Sequence, residues 1–209
     1  MLGNTHITAG ITTSLLVFRP TTMLEFVATV AGGAVGGAIC DIDCKRSDLN
    51  RDTIRGAVLG CAVIAAALVL DLRLGHGIYD YVQKTFGAAT VFGLLGFFVC
   101  CIWGARSKHR TFTHSLTGGL AMSGCAYLVC KPFGLAMGAG MVSHILLDLL
   151  NRRRVQLFYP LKKPRICLNL CDSDGIVNTV LSGIFTLSSS ILVPWYAITA
   201  LGSLGISLR

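Results

Sequence analysis

The sequence predicts an all-α fold, a polytopic membrane bundle of about six to eight short transmembrane helices forming a single transmembrane domain over residues 1–209. Three observations predict it. Only 13% of the 209 residues are charged while 53% are apolar, roughly half the charged fraction of soluble domains. The mean hydropathy is +0.68. The apolar residues gather into runs at 6–18, 22–40, 56–72, 86–105, 115–130, 133–150 and 175–207, separated by short polar loops. A chain so poor in charge cannot coat a globule with polar surface, and its apolar content excludes disorder. Several runs are shorter than the ~20 residues that cross a ~30 Å hydrocarbon core, so tilt or local thinning is expected.

Each run carries its own signals. No Lys or Arg precedes Arg19, so the first run lacks the basic flank of a cleaved signal peptide and is expected to stay in the mature chain. The second and sixth runs are dense in glycine (Gly32, Gly33, Gly36, Gly37; Gly134, Gly138, Gly140), a composition that lets helix backbones approach closely in lipid. The last run is long enough for a C-terminal helical hairpin over 175–207, with Pro194 as the interruption. No linker divides the chain.

Alternating the crossings assigns the loops to sides. One face receives Lys45, Arg46, Arg51, Arg55, Arg106, Lys108, Arg110, Arg152, Arg153, Arg154, Lys162, Lys163, Arg165 and Arg209, and the other only Arg19, Arg73, Lys84 and Lys131. Fourteen against four marks the first face as cytoplasmic by the positive-inside rule. The same bias accounts for the formal net charge of +8 without nucleic acid, since the cations sit in short loops between apolar runs.

With sides assigned, the polar residues inside the apolar pattern fall at one level. His6 opens the first run, and Asp41 and Asp43 close the second. His109 and His114 lead into the fifth, and His144 and Asp148 stand four apart near the end of the sixth. Residues four apart share a helical face, and ionisable groups within an apolar helix mark function by default. Imidazole with carboxylate suits zinc, manganese or iron, and the donors suffice for one or two ions or for one ion with supporting groups. The fifth histidine, His76, falls in the opposite loop.

The cysteines give a different metal reading. Nine is an odd count, and Cys61, Cys100, Cys101 and Cys125 lie within apolar runs as small hydrophobes. Cys40, Cys44, Cys167 and Cys171 fall on the basic face, where four thiolates could hold a structural zinc or remain reduced. Asp172 and Asp174 precede the last run as a helix cap or an accessory to the metal. Arg152 and Arg153 open a basic, aromatic stretch reaching Arg165, suited to a lipid headgroup or to topology alone.

Several motifs together carry a family resemblance. Thr5-His6 with Gly10, Asp41-x-Asp43, His109-Arg110-x-x-Thr113-His114-Ser115, and Ser143-His144-x-x-x-Asp148 followed by Val155-Gln156-Leu157-Phe158-Tyr159-Pro160 resemble the YdjM-like family, described as LexA-regulated, inner-membrane, metal-dependent hydrolases. The resemblance covers residues 1–165 as a catalytic core. It implies a bacterial inner-membrane location and a ligand set of His6, Asp41, Asp43, His109, His114, His144 and Asp148. Catalytic roles fall on Asp43, Arg110 and His114, with Thr113, Ser115 and Asn151 in support. Arg110, Arg152 and Arg153 are the candidates for binding substrate. A distant likeness of the family to zinc-dependent phospholipase C enzymes implies a phosphoester substrate. The sequence departs from the usual Leu-Pro-Asp-x-Asp-His: Cys40 stands in the place of proline and Cys44 in that of histidine.

The function expected is hydrolysis of an amphiphilic membrane substrate, first a lipid phosphoester and then an ester or amide, by metal-activated water at the cytoplasmic interface. An ion- or proton-coupled transporter using the same His/Asp cluster is the alternative. It fits the short glycine-rich helices but not the placement of the polar residues at helix ends, nor the lack of a two-half repeat.

Overall fold

A computed structural model of the chain describes residues 3–44, 87–172 and 175–202, with isolated positions between 58 and 84. Apart from those positions, the expected crossing at 56–72 falls outside the described residues, as do Lys45, Arg46, Arg51, Arg55, Cys61, His76, Asp174 and Arg209. The described residues form six α-helices, α1 (Gly3–Phe18), α2 (Met23–Ile39), α3 (Ala88–Arg106), α4 (Leu116–Val129), α5 (Lys131–Leu149) and α6 (Ile176–Gly202). A short 3-10 turn, Cys40–Asp43, extends α2. The all-helical class holds. Among the described residues, four segments, Met23–Asp43, Ala88–Arg106, Lys131–Leu149 and Ile176–Gly202, are long and apolar enough to cross a membrane.

Local chemistry sets the helix ends. α1 stops at Arg19, whose φ of 44° precedes Pro20, a residue that cannot continue a helix. Thr22 and Glu25 form a capping box that opens α2, the Thr22 hydroxyl accepting from the Glu25 N–H at 3.3 Å and Glu25 Oε2 accepting from the Thr22 N–H at 3.4 Å. Ser115 caps α4 by accepting from the Gly118 N–H at 3.0 Å. Pro132 sits in the first turn of α5, where its missing donor costs nothing.

The C-terminal run differs from expectation. Residues 176–202 form one helix that passes through Pro194 where a hairpin was expected. A mid-run turn would strip several backbone groups of their partners in a solvent that offers none, whereas continuing past a proline sacrifices one hydrogen bond. At 27 residues the helix is about 40 Å long, close to a bilayer with its headgroups.

α2 is the buried centre. It packs against α1 on one side and α5 on another, with α4 beside α5, α3 outside α4, and α6 across α1. Ile7, Ile11, Leu15, Val30, Ala34 and Ala38 fill one core, and Ile39, Cys40, Met122, Ala126, Met137 and Met141 a second. Glycine permits both contacts of α2. A Cβ at Gly37 would collide with the His6 carbonyl on α1, and one at Gly36 with the Met137 carbonyl on α5. Hydroxyls tie the bundle across helices: Ser14 donates to the Ala136 carbonyl at 2.9 Å, Thr12 to the Phe185 carbonyl at 3.2 Å and Thr5 to Asn178 Oδ1 at 3.2 Å.

The outside reads as a lipid face. Phe92, Phe98 and Trp103 of α3 and Ile176, Leu187 and Trp195 of α6 are exposed, while Thr5, His6, Asp41, His114, His144 and Asp148 are buried. In water that distribution would be prohibitive, and in hydrocarbon it is the stable one.

Candidate metal centre

Four chain segments bring the polar residues to one end of the bundle. His6 lies in the first turn of α1, Asp41 and Asp43 on the turn after α2, His109, Arg110 and His114 on the α3–α4 loop, and His144 and Asp148 in the last turns of α5. The loop folds inward, with Arg110, Thr111, Phe112, Thr113, His114 and Ser115 all buried. Irregular backbone at this depth needs its polar groups satisfied. The Arg110 carbonyl accepts from the Gln156 N–H at 3.1 Å, the Leu157 carbonyl from the Leu116 N–H at 3.0 Å and the Phe112 carbonyl from the Ser115 N–H at 3.1 Å. Thr111 donates its hydroxyl to the Lys108 carbonyl.

Two hydrogen bonds fix which imidazole nitrogens are bare. His144 Nδ1 lies 2.7 Å from the Gly37 carbonyl; a carbonyl only accepts, so Nδ1 carries the hydrogen and Nε2 of the neutral ring keeps its lone pair. Thr113 donates its hydroxyl to Asp43 Oδ2 at 2.8 Å, so its oxygen accepts from His114 Nδ1 at 3.1 Å. His114 Nε2 is thereby the free nitrogen as well. Both Nε2 atoms are buried without a hydrogen-bond partner.

These nitrogens face carboxylates. His114 Nε2 lies 3.5 Å from Asp41 Oδ1 and 3.4 Å from Asp148 Oδ2, and His144 Nε2 lies 3.8 Å and 4.0 Å from the same two atoms. His6 Nε2 is 3.7 Å from Asp148 Oδ1, with its ring stacked on His144 at 3.8 Å. Most of these separations are long for hydrogen bonds. Two atoms that share an ion at roughly 2.0–2.2 Å stand about 3–4 Å apart, so the spacing fits a common cation.

Asp43 does something different. Its Oδ1 accepts from His109 Nδ1 at 2.8 Å, and its Oδ2 accepts from the Arg110 N–H at 3.1 Å and from Thr113. With donors on both oxygens it pins the α3–α4 loop. Arg110 holds its backbone at φ 62°, a left-handed conformation unusual for a side chain of this size. It spans the site, its guanidinium 3.0 Å from Asp148 Oδ2 and donating to the Arg153 carbonyl at 2.7 Å.

Three overlapping groups of the described residues can therefore hold an ion: His6, His144 and Asp148; Asp41, His114 and His144; and Asp43, His109 and His114. The family model for YdjM inner membrane protein matches residues 1–208. The chain belongs to the YdjM inner membrane protein family. Searches of curated proteins and of solved structures returned no match.

As a YdjM family member the chain is a multi-pass inner-membrane protein, and the residues expected as ligands meet at one site. Arg152 and Arg153 do not join it. Arg152 is exposed and pairs with Asp172 at 3.0 Å, and Arg153 meets the site through its backbone carbonyl. The four cysteines do not assemble either, since Cys40 packs with Met122 and Met137 while Cys171 packs with Ala9 and Leu147. Cys44 stands at the rim, its Sγ 3.9 Å from His109 Nε2. Sequence reasoning missed the Gly37 carbonyl as the partner that orients His144; the glycine-rich run signalled close packing but not that role.

The Thr113 relay makes a specific prediction. Thr113→Val keeps the shape but leaves His114 Nδ1 without an acceptor, and loss of such an orienting partner lowers metal affinity about 10–100-fold. Competition with a chelator on the purified protein measures it, and thermal unfolding is expected to show a loss of about 1–3 kcal/mol for the buried donor left unpaired.

Proposed function

We propose that this protein is a membrane-embedded, metal-dependent hydrolase whose substrate is amphiphilic, a lipid phosphoester first and a membrane ester or amide second. The observation that carries the proposal is the pair of oriented, bare Nε2 atoms of His114 and His144 facing Asp41 and Asp148. His6, Asp41, His114, His144 and Asp148 are assigned as the holders of one or two divalent ions, zinc first, with manganese or iron also suited to the donors.

When bound, a divalent ion supplies Lewis-acid polarisation and lets water act as a nucleophile near neutral pH. The chain supplies the rest. Arg110, held against Asp148, is placed to receive a phosphoryl oxygen and to offset the charge that develops there. His109 is about one-third exposed at the rim and hydrogen-bonded to Asp43. That pair can move a proton between the site and solvent, with Asp43 fixing the ring. The location at the ends of the helices suits a substrate whose reactive group sits at the headgroup level, and the excess of Lys and Arg in the loops on that side supports a cytoplasmic orientation for it.

The test is turnover. Purified protein depleted of metal is expected to hydrolyse a phosphatidic acid or lipid diphosphate substrate only after zinc, manganese or iron is restored. Metal that binds stoichiometrically, with no release of phosphate, ester or amide product but with ion or proton flux in proteoliposomes, would replace the hydrolase with the transporter.

A further inference from the structure

A second site lies beside the metal centre, on the other side of the α3–α4 loop. A groove of ≈ 1560 Å³ opens there, rimmed by Arg106, Lys108, Arg154, Lys162, Lys163 and Arg165, with no Asp or Glu among its lining residues. Its opposite wall is apolar. Val99, Ile102 and Trp103, at helical spacing on α3, line it together with Tyr159, Pro160 and Pro164. Ile102 and Trp103 are exposed and continue the outer face of α3 through Leu95 and Phe98, the face that meets lipid.

We propose that this groove binds a membrane lipid whose headgroup ends in a phosphomonoester or diphosphate, the headgroup among the six cations and the chain along Val99, Ile102 and Trp103. Topology needs positive charge in a loop but does not need the charges to converge. Here they surround one concavity. Its floor is built: Gln156 is buried, donates to the Leu161 carbonyl at 2.8 Å and accepts from Arg165 at 3.4 Å. Six cations gathered without a carboxylate repel one another, and a terminal phosphate carrying about −1.5 to −2 charge at neutral pH relieves that where a zwitterionic headgroup cannot. The volume far exceeds a phosphate ion and suits an amphiphile, and the apolar wall begins where the cations end. The groove is separated from the metal centre by the loop backbone: Lys108 and Thr111 face it, while His109 and Arg110 between them face Asp43 and Asp148. The proposal stands whether or not the metal centre is hydrolytic.

Trp103 supplies the probe. The chain has two tryptophans, so Trp195→Phe leaves Trp103 as sole emitter and Trp103→Phe leaves Trp195 on the lipid-facing α6 as the reference. In vesicles containing the full chain, chain-brominated phosphatidic acid is compared with chain-brominated phosphatidylcholine at the same low mole fraction. Trp103 is expected to be quenched by phosphatidic acid at a several-fold lower fraction, with Trp195 showing no preference. Lys162, Lys163 and Arg165 are exposed, so replacing all three with glutamine spares the fold and is expected to cut the preference at least about fivefold, given that each basic residue contributes at the level of one such factor. Equal quenching of Trp103 by the two lipids, or a preference unchanged in the triple variant, overturns the site. Inorganic phosphate that displaces the lipid at lower concentration than a soluble short-chain phosphatidic acid would assign the groove to a free anion and overturn the lipid reading.

Discussion

His144→Ala is expected to remove the divalent metal from the purified protein and to abolish turnover. The His144 ring is fully buried, oriented by the Gly37 carbonyl and directed at both Asp41 and Asp148. No neighbouring side chain replaces its nitrogen, since His6 stacks on the ring itself. Loss of an orienting partner alone lowers metal affinity about 10–100-fold, and loss of the ligand is expected to exceed that. Elemental analysis of protein purified in detergent, beside wild type, reads the outcome. Full metal retention with activity gone would remove His144 from the ligand set and leave it a role in turnover. Asp148→Ala is a less clean test, because Asp148 also neutralises buried Arg110 at 3.0 Å, and an unpaired buried cation is destabilising by about 3–5 kcal/mol.

Gly37→Ala is expected to damage the fold and the site together. The new methyl group would meet the His6 carbonyl, so α1 must move away from α2, carrying His6 with it. Overpacking of this kind costs about 1–3 kcal/mol, and here the substituted residue itself supplies the carbonyl that orients His144. Thermal unfolding in detergent is expected to show the loss, accompanied by reduced metal content. Gly119→Ala and Gly183→Ala are the controls, because a Cβ at either meets nothing within 4 Å, and removing glycine from a helix stabilises it by up to about 1 kcal/mol. If Gly37→Ala matched the controls in stability and metal, the close crossing of α1 and α2 would not be what positions the centre.

The membrane bundle and the level of its polar residues were legible in the sequence because both follow from composition and period. Thirteen per cent charge has few solutions in water, and ionisable residues in apolar helices are too costly to be accidental. Spacing also put His144 and Asp148 on one helical face. The continuity of α6 through Pro194 was not legible: a proline reads as an interruption in any single segment, and only the solvent around the helix decides whether interrupting it is the cheaper course.

The sequence by itself determined the class of fold, the family and the residues that meet. The tertiary structure decided what each of them does. Asp41 and Asp43 are two residues apart and alike on paper, yet one faces bare imidazoles and the other is consumed by His109, the Arg110 N–H and Thr113. Arg152 and Arg154 are equally alike, and one pairs with Asp172 while the other lines the groove. The reason is physical. Residue type fixes which bonds a side chain can make, but whether a nitrogen keeps its lone pair or a carboxylate its charge depends on donors from distant segments, and those are set only when the helices pack.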